Sequence, residues 1–199
     1  AYNNLGATLN EKGQFDTAIE SYKKAIELYP GYAEAHNNVG VAFKNKGDLD
    51  EAISSYKKAI ELKPDYAEAF NNLGNAYKQK GDFDSAINYL QRALEIKPNL
   101  ADAYKNLGSA LQKIRFVTTR PDLSKVICDL FEYKTHVRPK DIAKSVVSLL
   151  RIEPAIKKLI SASHVKLEKQ QLNSIVSDLM KNKLLPKLMS ICPIPDLDL

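Results

Sequence analysis

The sequence predicts an all-α protein in two parts: an array of helix pairs over residues 1–114, then a small non-repeating helical bundle over residues 115–199. Three observations lead there. Columns of residues recur every 34 positions through the first part. Apolar residues in both parts fall at the i, i+3, i+4 spacing of a helix face, and no strand pattern competes with it in the second. Composition also changes near residue 115. All eight glycines lie at or before Gly108, nine of ten tyrosines lie at or before Tyr104, and net charge passes from −1 over residues 1–114 to +6 over residues 115–199.

The repeat is carried by many independent columns. Gly6, Gly40, Gly74 and Gly108 keep the 34-residue step, as do Gly13, Gly47 and Gly81, and Pro30, Pro64 and Pro98. Leu5, Val39, Leu73 and Leu107 stand one helical turn before Leu9, Phe43, Tyr77 and Leu111, so each pair shares an apolar face. A glycine between them costs up to about 1 kcal/mol against alanine, which points to close helix approach. The second glycine follows Lys12, Lys46 and Lys80 and ends the first helix. The second helix runs through Ala18, Tyr22 and Ala25, through Ala52, Tyr56 and Ala59, and through Ala86, Leu90 and Ala93. Proline then closes the unit, because it cannot continue a helix.

Phe70-x2-Leu73-Gly74-x2-Tyr77, Ala86-x3-Leu90 and Pro98, with Tyr2, His36 and Tyr104 in the aromatic slot of Phe70, resemble the tetratricopeptide repeat. The resemblance covers about residues 1–114: three helix pairs plus one helix. It implies a right-handed tetratricopeptide superhelix whose first helices line the concave side. The pattern fails at Arg115 and Val117, which stand where a turn glycine and the column of Phe15, Leu49 and Phe83 should continue.

The candidate groove is a set of carboxamides. Asn4, Asn38, Asn72 and Asn106 form one column; Asn3, Asn37 and Asn71 precede them, and Lys105 takes that place in the fourth unit. Asn75, Lys44 and Lys78 are candidates for the same surface. Asparagine is a poor helix former, yet its carboxamide both donates and accepts, so it suits either side of a peptide backbone. First helices spaced by roughly 10 Å match about three residues of an extended chain. The arrangement resembles the asparagine ladder in the repeat arm of O-linked N-acetylglucosamine transferases, which implies backbone binding of an extended peptide. The alternative reading is that the asparagines cap or bridge neighbouring helices. The chaperone-tail clamp of the same family needs lysines and an arginine aimed at a carboxylate; here Glu34, Glu68 and Asp102 stand where it places a lysine. With those acids set against Lys44, Lys78 and Lys105, no strong charge selection is expected.

In the second part, helices are expected at about 122–133, from Pro139 through Leu150, through Ile156–Ile160, at about 168–181 and after Lys183, ending before Pro193 and Pro195. The first of these is expected to cover the unpaired fourth-unit helix, so that removing residues 116–199 leaves a poorly folded array. Val137–Ile142 and Ile191–Leu197 distantly resemble a spacer between tetratricopeptide arrays and methyltransferase domains in bacterial proteins.

Catalytic and metal motifs are missing: no G-x-G-x-x-G, Walker loop, H-E-x-x-H or C-x-x-C occurs. Cys128 and Cys192 read as structural thiols, His36 as a packing or groove-edge residue, and His136 and His164 as surface positions. Lys157, Lys158, Lys166, Lys169, Lys181, Lys183 and Lys187 lack interleaved aromatic residues and read as solvating rather than as a nucleic-acid surface. No apolar run approaches the roughly 20 residues of a membrane span, and no signal-peptide pattern stands at the start. The expectation is a non-catalytic, cytoplasmic protein–protein interaction scaffold with no cofactor, no metal and a peptide or protein partner. The alternative is the substrate-recruiting fragment of a larger methyl- or glycosyltransferase. The uncovered flank of the first helix leads to an expected homodimer through residues 1–28.

Overall fold

A computed structural model describes residues 1–114 and Ile127. Seven helices follow one another among the described residues: α1 (Tyr2–Glu11), α2 (Phe15–Leu28), α3 (Ala33–Lys46), α4 (Leu49–Leu62), α5 (Ala67–Lys80), α6 (Phe83–Ile96) and α7 (Ala101–Leu111). The expected three pairs plus one helix are all present. None of these helices is long and apolar enough to cross a membrane. Two compact units divide at Leu107–Gly108, inside α7. The helices expected beyond residue 114, the capping contact and the spacer-like stretches lie outside the described residues. Ile127 alone is described there, helical and buried.

The glycine-closed turn makes the hairpins. Gly13, Gly47 and Gly81 hold φ of 76°, 101° and 83°, a left-handed conformation that side chains resist. The next residue then turns its N–H back on the helix. Gln14 N, Asp48 N and Asp82 N donate to the carbonyls of Leu9, Phe43 and Tyr77 at 2.9, 2.9 and 3.0 Å, the closing bond of a Schellman turn. At the other end of each pair, the N–H groups of Tyr29, Lys63 and Lys97 bond Ala25, Ala59 and Ala93, and proline follows directly.

Alternation of small and large residues sets the packing. A Cβ on Gly40 would stand 2.7 Å from Tyr56 Cε1 and 3.2 Å from the Ala52 carbonyl, and one on Gly74 would stand 2.7 Å from Leu90 Cγ. The helix glycines therefore seat the large side chain of their own partner helix. One core gathers Ala18, Ile19, Tyr22, Val39 and Ala42, with Leu9, Ile26 and Phe43 on its margin. The next gathers Ala52, Ile53, Tyr56, Leu73 and Ala76, with Phe43 shared between the two. The aliphatic column is fully buried at Leu73 and Leu107 and nearly so at Val39, yet Leu5 is 50% exposed and Tyr2 beside it is 41% exposed. No described helix stands before α1 to cover them.

First helices also touch each other: α3 meets both α1 and α5 directly.

Candidate functional site

The first helices carry the asparagines. Each second-column carboxamide donates to the first-column carboxamide of the preceding unit. Asn38 Nδ2 reaches Asn3 Oδ1 at 3.1 Å, Asn72 Nδ2 reaches Asn37 Oδ1 at 3.0 Å, and Asn106 Nδ2 reaches Asn71 Oδ1 at 3.0 Å. The offset is 35 residues rather than 34. One helical residue is a rotation of about 100°, so neighbouring first helices meet with one presenting its first column and the next its second.

Burial makes these bonds matter. Asn3 and Asn37 are buried, at 7% and 6% exposure, and a buried amide without a partner is costly. Asn37 uses both ends, accepting from Asn72 and donating to Asn38 Oδ1 at 3.3 Å. Asn3 donates over a longer 3.4 Å to the Tyr32 hydroxyl, which leans toward Glu34. Of the two readings open from the sequence, bridging between helices is therefore present in the structure. It leaves groups over. Asn72 Oδ1 and the whole carboxamide of half-buried Asn75 have no hydrogen bond among the described residues, and neither has the exposed side chain of Asn4. A ligand can bond these without breaking the bridges.

Lysines flank the row. Lys44 and Lys78 are half-buried and Lys105 is exposed. Lys78 Nζ donates to Asn106 Oδ1 at 2.8 Å. Loss of water lowers the pKa of Lys44, and it lowers that of Lys78, where the charges of Lys105 and Lys44 add to the effect. The acids divide: Glu68 is held by Lys97 at 2.7 Å, which keeps its carboxyl below the usual range, while Asp102 stays exposed at the start of α7. His36 bonds the Pro30 carbonyl at 3.1 Å through Nε2 and borders an open 420 Å³ depression with Ser54, Lys57 and Glu61. One further pair escaped the sequence reading: Asn45 Nδ2 donates to Asn10 Oδ1 at 3.3 Å, again 35 residues apart. Its signal was available in the same offset, but only once the offset is known.

A helical array closed by left-handed glycines, with polar residues aligned along its first helices, defines a helical repeat protein. Comparison places it more closely. The family model "TPR repeat" matches residues 6–47 and 43–81, and the model "Tetratricopeptide repeat" matches residues 67–100. Together these matches span residues 6–100, and the all-α fold of the described residues is that of the tetratricopeptide superhelix. Solved structures agree. The first tetratricopeptide domain of Spaghetti (RPAP3), bound to the HSP90 peptide SRMEEVD, is 24% identical, with a TM-score of 0.54 over 56% of this chain and 88% of that one. The second such domain of human RPAP3, in complex with the HSP70 peptide SGPTIEEVD, is 24% identical, with a TM-score of 0.53 over 55% and 91%. The Sgt2 domain from Aspergillus fumigatus is 20% identical, with a TM-score of 0.55 over 56% and 76%. At these identities the likeness is one of fold. A search of curated proteins gave no match.

Proposed function

We propose that this chain is a non-catalytic protein–protein interaction module that holds an extended peptide along its row of first helices. The observation that carries the reading is the asparagine row with its unspent groups, Asn72 Oδ1 and the Asn75 carboxamide, on the side where first helices meet. Two fold neighbours hold peptides, which supports the same use of the fold here. The likeness of the row to the ladder of O-linked N-acetylglucosamine transferases is part of this proposal. The tail clamp is not, because Glu34, Glu68 and Asp102 present acids where that clamp has a lysine.

Binding is expected to be weak. Each hydrogen bond contributes about 0.5–1.5 kcal/mol net, and association with ordering of a flexible peptide costs about 4–15 kcal/mol. The test is a fluorescence-anisotropy titration of a library of extended peptides with the 199-residue chain and its Asn75→Ala variant. Asn75 bridges nothing among the described residues, so the variant should melt like the parent and bind every peptide more weakly. No peptide binding by the parent, or unchanged binding by the variant, overturns the reading.

A further inference from the structure

Every ion pair among the described residues joins exposed groups: Lys46 with Asp16 and Asp48, Lys80 with Asp50, Lys58 with Glu61, Arg92 with Glu95, and Lys97 with Glu68. Exposed ammonium groups need such partners least, since water already solvates them. The two lysines that have lost much of their water, Lys44 and Lys78, have no carboxylate partner there. They hold the same place in successive first helices, 34 residues apart, beside the asparagine row, and Lys78 is tied to that row through Asn106. Exposed Lys105 adds a third positive charge close enough to disfavour that of Lys78. Like charges gathered in a partly dry place are costly unless an anion joins them. Of the three rim acids, Glu68 is already held by Lys97, and no ion pair among the described residues joins Glu34 or Asp102 to Lys44 or Lys78. Charge in the groove is therefore less mixed than the sequence alone suggests.

We propose that Lys44 and Lys78 seat carboxylate side chains of the peptide bound along the asparagine row, so that the groove selects internal acidic residues. The proposal rests on the peptide-binding reading and adds a chemical class to it. Successive first helices recur at roughly 10 Å, and a polyproline-like chain brings residues i and i+3 onto one side at roughly 9 Å. Two acids three residues apart therefore fit the two lysines.

Three 12-residue Ser/Ala peptides test it. One carries two Asp residues three apart with both ends blocked, one has Asn in both places, and one is neutral with a free C-terminal carboxylate. Each is titrated against the 199-residue chain and against its Lys44→Met, Lys78→Met double variant, at low and high salt. The Asp peptide should bind roughly tenfold more tightly than the Asn peptide at low salt, with the advantage shrinking as salt screens it. The double variant should lose the preference for Asp over Asn, and the free terminus should add nothing. Equal binding of Asp and Asn peptides by the parent overturns the acid seat and leaves the groove reading standing. A preference that survives in the double variant, or one reproduced by the free terminus, also overturns it. Binding of none of the three peptides overturns both.

Discussion

Asn72→Ala removes the donor that satisfies Asn37 Oδ1 at 3.0 Å. Asn37 is only 6% exposed, so water does not readily take the vacated place. A buried acceptor left without a partner costs about 1–3 kcal/mol. Alanine is the better helix former by up to about 0.7 kcal/mol, which leaves a net loss of roughly 0.5–2.5 kcal/mol. Asn37→Ala removes the acceptor instead, and its former partners, Asn38 and Asn72, are half-exposed and can turn to water. With both residues replaced, no buried group is orphaned. The double variant should therefore be less destabilised than the two single losses added together, with a coupling of about 1 kcal/mol or more. The same cycle at Asn71 and Asn106 should give a smaller coupling, because Asn71 is half-buried. Urea denaturation followed by circular dichroism measures all of these. Independent sites add within about 0.3–0.5 kcal/mol. A coupling inside that range at Asn37 and Asn72 would refute inter-repeat bridging, and equal coupling at both pairs would refute the role assigned to burial.

Three other outcomes are expected. Gly40→Ala gains about 1 kcal/mol of helix propensity but forces a Cβ to 2.7 Å from Tyr56, and overpacking costs about 1–3 kcal/mol. Its thermal midpoint should fall by roughly 2–4 °C per kcal/mol lost, and a rise would contradict the close approach. The buried Tyr56 hydroxyl has no hydrogen-bond partner among the described residues, so Tyr56→Phe should raise stability by about 0.5–1.5 kcal/mol in urea melts. Burial also raises the pKa of that phenol; the folded state then holds its proton more tightly than the unfolded state, and stability should fall above about pH 10. A phenolate absorbance titration should show this tyrosine ionising only as the chain unfolds. Lys44→Met should stabilise the free protein by about 0.5–1 kcal/mol at neutral pH, since it deletes a poorly hydrated charge and keeps the stem. Because the folded pKa of Lys44 is lowered, the unfolded state binds more protons between the folded and unfolded values. The parent should thus regain stability as pH rises toward about 10.4 and close the gap to the variant.

Local chemistry was legible; relations between helices were not. The glycine at the end of each first helix and the proline after each second one act within a few residues, so the helix pattern could be read directly and the observed boundaries follow it. Leu5 shares its column with Val39 and Leu73 but is half exposed, because burial depends on a neighbour and not on the column. The asparagine columns were visible as two rows, but their 35-residue pairing depends on how one first helix turns against the next. Lys97 reaches back to Glu68 across α6, which no periodicity announces, and that contact alters the charge balance assumed for the groove.

Stability by itself does not account for the asparagine row. Seven asparagines in the first helices (Asn3, Asn4, Asn37, Asn38, Asn71, Asn72 and Asn106) each cost roughly 0.5–0.7 kcal/mol against alanine, about 4 kcal/mol together. Three bridges between units return about 0.5–1.5 kcal/mol each, about 3 kcal/mol together. The two amounts nearly cancel, so an alanine in every one of these places would leave an array of comparable stability, even though removing one partner alone does not. Bridging explains how the row is tolerated: it keeps the inner carboxamides satisfied and fixes the outer ones in place. The groups it leaves over belong to these same first helices: Asn72 Oδ1 and Asn75 on α5, and Asn4 on α1. A residue type that adds little net stability, repeats in every unit and keeps unspent hydrogen-bonding capacity supports a surface kept for a ligand.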